Sequence, residues 1–131
     1  FRDGVSVLNA DNEWTAGMAR SARGEIIFFS TEQEENGTIR EHLRNRGRAV
    51  ILRPTRNGER VTIVEHRRET SLLLASEIPA TFEGRLRVNV ANAMAAAAAA
   101  LGENIQLEYI RQALKTFSTS FFQTPGRFNL M

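Results

Sequence analysis

The chain has 131 residues, the size of one domain or of part of a larger one, and its 42% apolar content is that of a globular protein rather than a disordered one. It holds no cysteine, which excludes disulfides and thiolate zinc sites, and no apolar run of about 18 residues, so there is no candidate for a membrane-spanning helix. The net charge is only +2; Lys115 is the sole lysine, and the nine arginines from Arg40 to Arg68 are mixed with Glu41, Glu59, Glu65 and Glu69 and lack interleaved aromatics, the pattern of a solvated face rather than of a nucleic-acid stripe.

Val5 to Leu8 is a short apolar run rich in β-branched residues, followed by Asn9-Ala10-Asp11-Asn12. It reads as a buried strand and its loop. Asp11 or Asn12 suits the cap of a helix running through Ala22, with Trp14, Met18 and Ala22 on its inner face and Gly24 closing it. Ile26 to Phe29 reads as a second strand, Ser30 to Gly37 as a polar loop, and Thr38 to Asn45 as a short helix with Ile39 and Leu43 inward and Gly47 as its stop. A third strand follows over Ala49 to Leu52. Strand, helix, strand, helix, strand predicts a parallel α/β sheet. Asn57-Gly58 is a hairpin turn joining this strand to Val61–Val64, and Ser71 to Ala75 reads as a further strand, so an antiparallel part is added.

Arg85 to Leu101, RLRVNVANAMAAAAAAL, is the most distinctive stretch. Nothing from Ala93 to Leu101 resists a helix, and Gly102 stands where helices stop. Asn89 reads as the N-cap, with Asn92 in the first turn. An asparagine amide offers one acceptor and two donors, which suits the edge of a base, and a helix start favours anions. The alternative is close packing plus a cap. Leu107 to Phe117 is a second, amphipathic helix with Leu107, Ile110, Leu114 and Phe117 on one face. Pro125-Gly126 is a rigid turn that presents Arg127, whose planar fork suits phosphate; the alternative is a surface arginine at a domain edge.

Complete catalytic apparatus is missing. There is no Gly-Lys pair for a phosphate loop, no G-x-G-x-x-G, no G-x-S-x-G, and His42 and His66 stand alone and read as surface histidines. Asn9-Ala10-Asp11 falls at the C-terminal end of a parallel strand, where open α/β sheets bind ligands; a turn plus a helix cap is the reading favoured over it.

VLNADN (7–12), RLRVNVANAMAAAAAAL (85–101), IRQALKTF (110–117) and TPGRFNLM (124–131), in this order and spacing, resemble the second half of the central ATPase domain of the Mur ligase superfamily. The resemblance implies a partial three-layer α/β nucleotide-binding domain whose P-loop half is missing, with parallel strands plus an antiparallel hairpin. It implies that Asn89 and Asn92 lie at the adenine of ATP, and that Arg127 contacts the nucleotide at the hinge to a C-terminal domain. The family uses ATP and magnesium to activate a carboxylate as an acyl phosphate, which an amine converts to an amide; the branch this chain resembles adds arginine to an aspartate side chain. The family's P-loop and its magnesium-binding Glu and His lie upstream of VLNAD and are absent here, and Val88 stands where the family often has His.

The expectation is therefore a fragment, cut at both ends, of a cytoplasmic ATP-dependent amide ligase. Residues 1–126 would be the C-terminal half of the central ATP-binding domain and 127–131 the start of a linker. The parent would take ATP, Mg2+ and an amino-acid or peptide substrate. The fragment itself would have no catalytic residue, no metal ligand and no tightly bound cofactor, would not engage membrane or nucleic acid, and would self-associate. The rival readings are a Mur-like ligase of cell-wall precursors and an arginine-rich module that binds RNA or an acidic partner.

Overall fold

In the computed structural model the described residues are 4–18, 24–32 and 36–117. The chain forms β1 (Val5–Asn9), α1 (Glu13–Gly17), β2 (Glu25–Ser30), α2 (Gly37–Arg44), β3 (Arg48–Thr55), β4 (Gly58–Glu65) and β5 (Arg68–Leu74). Two single 3-10 turns, Ala75–Glu77 and Pro79–Thr81, lead to α3 (Arg87–Gly102) and α4 (Leu107–Lys115). The sheet order is β1-β2-β3-β4-β5. β1, β2 and β3 run parallel, and β4 and β5 add on antiparallel. This is the α/β sheet with an antiparallel extension that the alternation of elements predicts.

The period of two along each strand divides the core. Ile27, Phe29, Val50, Leu52, Val61 and Ile63 point to one face, where α3 and α4 cover them with Val90, Ala93, Met94, Ala97, Ala98, Leu101, Ile110 and Leu114. Leu8, Phe28, Ala49, Ile51 and Val64 point to the other, where Ile39 and the half-buried Leu43 of α2 pack. Helix, sheet and helices make three layers. Alanine at three of the six buried positions of α3 lets its backbone lie close on the sheet, so a helix with few large side chains still closes the core.

Several local expectations are corrected. α1 is described over Glu13–Gly17, and Trp14 and Met18 are exposed, at 86% and 60%, rather than inward; the expected continuation through Ala22 lies outside the described residues. Asn12 does cap α1, its side-chain oxygen accepting from the N–H of Trp14 at 2.9 Å. In the first hairpin Thr55 pairs with Gly58, so the loop is Arg56-Asn57 and Gly58 opens β4 at φ +130°, a conformation reserved for glycine. Gly102 is the last residue of α3, and the left-handed position after it belongs to Asn104, at φ 62°. The N–H of Ile105 bonds Ala100 O and that of Asn104 bonds Leu101 O, a Schellman closure. Glycine is at 102 for a different reason: a Cβ there would lie 2.9 Å from Val5 Cγ1, where the helix end crosses β1.

Candidate functional site

β1, β2 and β3 all end at the same edge, and two loops leave it, after Asn9 and after Ser30. Asp11 ties them together. Its Oδ1 accepts from Ser30 Oγ at 2.5 Å and from Asn36 Nδ2 at 3.2 Å; its Oδ2 accepts from Thr31 N at 2.8 Å and Thr31 Oγ1 at 3.0 Å. Asn36 also donates to Ala10 O and caps α2 by accepting from Ile39 N. Ser30 and Asn36 are both buried.

α3 brings its N-terminus to this edge because it runs antiparallel to the parallel strands. Its last turn meets their beginnings: Gly102 lies against Val5, and Leu101 O accepts from Arg48 Nη1 at 3.3 Å. Its first turn lies toward the end of β3: Arg87 pairs with Glu59, at 2.6 Å, which sits opposite Pro54. The turn feeding α3 is held from within by the fully buried Thr81, whose hydroxyl shares its one proton between the carbonyls of Ala75 and Ile78 and accepts from Gly84 N. Phe82 and Glu83 are both left-handed, at φ 50° and 63°.

The two asparagines sit one turn apart on α3 with different surroundings. Asn89 is not the N-cap: that residue is Leu86, with no side-chain cap bond, and Asn89 stands three residues in. Its Nδ2 donates to Ala80 O at 2.8 Å, fastening the helix to the turn before it. Asn92 is half-buried on the flank shared by the exposed Val88, Ala96 and Ala99, and no hydrogen bond joins its amide to any described residue. Its amide therefore keeps its donors and acceptor unengaged by the described residues. Arg127 lies outside the described residues, so the structure relates only Asn89 and Asn92 among the three residues singled out. Among the described residues no group of three or more His, Asp or Glu is placed to hold a metal ion.

The opposite edge carries a charge cluster of its own. Arg48 forms a two-pronged pair with Glu25, at 2.6 Å, and reaches Glu65 at 3.5 Å. The Arg48 hydrogen bond holds the Glu25 carboxyl below its usual range, and Glu25 in turn raises Arg48. His42 is not a plain surface histidine. It is half-buried, edge-on to Phe28, with Nε2 3.0 Å from Arg48 O, and burial lowers its pKa.

No protein-family model matches the chain. It is 38% identical over 130 residues, 99% of its length, to the cyanophycin synthetase of Nostoc sp.. Identity is 38% over 128 residues with that of Geminocystis herdmanii and 37% over 127 residues with that of Synechocystis sp.. The chain spans 14% of the length of each of these curated relatives. Among the described residues no helix is long and apolar enough to cross a membrane. Nearly end to end, then, the chain resembles one stretch of a cyanophycin synthetase.

Proposed function

We propose that the chain is part of an ATP-dependent amide ligase of the cyanophycin synthetase kind, within the Mur ligase superfamily, and that it supplies the adenine side of the nucleotide site. The observation that carries this is the likeness to cyanophycin synthetases over 99% of the chain. In this reading residues 1–126 belong to the ATP-binding domain and 127–131 lead toward a C-terminal domain. Asn92 meets the base edge, Asn89 holds the start of α3 in place beneath it, and Arg127 reaches the phosphates. ATP supplies the phosphoryl group that activates a carboxylate, with Mg2+ held by residues elsewhere in the parent. The parent is cytoplasmic, and its substrates are ATP and an amino acid or peptide.

The test compares the parent protein with the 131-residue chain. Supplied with ATP, magnesium, arginine and an aspartate-containing peptide, the parent is expected to release phosphate and form an amide. The 131-residue chain is expected to do neither, because it lacks a phosphate cradle and stabilisation of the transferring phosphoryl group is most of that chemistry. A parent that ligates only a cell-wall precursor would reassign the substrate. A magnesium-dependent ATPase rate above background from the 131 residues alone would contradict the division of labour.

A further inference from the structure

We propose that Asp11 is a positioning residue, whose carboxylate holds the loops after β1 and β2 in the arrangement in which this edge of the sheet faces a ligand. Among the described residues every partner of that carboxylate is a donor. Oδ1 takes Ser30 Oγ and Asn36 Nδ2; Oδ2 takes the N–H and hydroxyl of Thr31. The two hydroxyls could turn and accept, but the Thr31 N–H and the Asn36 Nδ2 cannot. Asn36 cannot flip either, because its oxygen already accepts from Ile39 N and its nitrogen donates to Ala10 O. One obligate donor thus faces each carboxylate oxygen. An asparagine at position 11 would place its NH2 against one of them in either orientation.

The linkage reaches further than the two loops. Ser30 Oγ also accepts from Glu32 N, at 3.0 Å, so it relays the carboxylate's hold to the backbone beyond β2. Asn36 passes it on to the start of α2. The last backbone bond between the strands is Ala10 N to Phe29 O, and past it Asp11, together with the Asn36 Nδ2 bond to Ala10 O, joins the loops. Asp11 touches no substrate in this account. It acts through the backbone of residues 30–32, at the same edge as the start of α3.

The kinetic part of this inference rests on the ligase reading; the structural part does not. The experiment uses the intact parent protein carrying Asp11→Asn or Asp11→Ala. Hydrogen exchange is expected to speed up at the Thr31 and Glu32 amides by about ten-fold or more, with Ile27–Phe29 still protected. Misplacement of this edge is expected to lower kcat on the order of 10- to 100-fold, with KM for ATP changed by no more than about threefold, equally in both variants. The inference is overturned if Asp11→Asn keeps the parent's exchange and kcat, or if both variants merely melt earlier with exchange and kcat intact below the melt. If the parent shows no ligation at all, the ligase reading fails and the exchange measurement alone decides the role of Asp11. Should the Asp11 variants not fold, Ser30→Ala removes one donor, and it is expected to speed exchange at Glu32; unchanged exchange there contradicts the inference.

Discussion

His42 sits edge-on to Phe28 with ring centroids 4.8 Å apart, and a Cβ added at Gly47 would fall 2.3 Å from its Nε2. That glycine reads in the sequence as a helix stop; its actual work is to make room for the ring. Burial is the main influence on His42 and lowers its pKa, against the opposing pull of the Arg48 and Ile26 carbonyls and the Glu25 charge. The unfolded chain then binds a proton that the folded one resists. This contribution to stability is full above the unfolded pKa, about 6.5, and is lost as pH falls through the lowered folded value. The melting temperature is expected to fall between pH 7 and pH 5, and to fall less steeply in His42→Gln; equal slopes in the two proteins would contradict this. Asp11 shows the same limit of sequence reading. Asn9-Ala10-Asp11 is visible as a loop at the ligand edge, but Ser30 and Asn36 are 19 and 25 residues away. Only the register that sets Asn9 beside Phe29 brings them to it.

The strands were legible as elements because each is a compact apolar run, and the first hairpin because of Asn57-Gly58. The β4–β5 turn was not. Glu65 pairs with Arg68, so its loop is His66-Arg67, both left-handed at φ 50° and 73° without a glycine or asparagine to announce it. His66→Asn is expected to raise stability by roughly 1 kcal/mol, because asparagine tolerates that conformation. Arg67→Gly should gain less, since Arg67 also donates to Arg44 O at 3.0 Å, at the end of α2. Denaturant midpoints at constant slope would check both, and a lower midpoint for His66→Asn would contradict the strain argument. Helix faces were harder still. Trp14 and Met18 have the four-residue spacing of one helical face, but spacing does not say whether that face meets the sheet. Alanine along α3 likewise left its register open, and the side-chain-free cap at Leu86 displaced the expected start by three residues.

At the scale of the molecule, β1 pairs only with β2 among the described residues, and Val5 on it is 38% exposed. A parallel edge strand with unpaired backbone groups is a template for another strand. The 131-residue chain is therefore expected to sediment as a dimer or larger at high micromolar concentration; a clean monomer that binds no apolar dye would contradict this. The central claim, that the start of α3 faces a base, is tested most directly by paired thermal melts and ATP titrations of the intact parent and its Asn92→Ala variant, with Asn89→Ala as the contrast. Asn89→Ala leaves Ala80 O without its donor and is expected to lower stability by about 1–2 kcal/mol. Asn92→Ala removes no hydrogen bond to any described residue and improves helix propensity, so its melt should match or exceed the parent's while ATP binding weakens by roughly 0.5–1.5 kcal/mol, about two- to twelve-fold. An Asn92→Ala protein that melts several degrees lower yet binds ATP as the parent does would contradict the account and leave α3 a packing element alone.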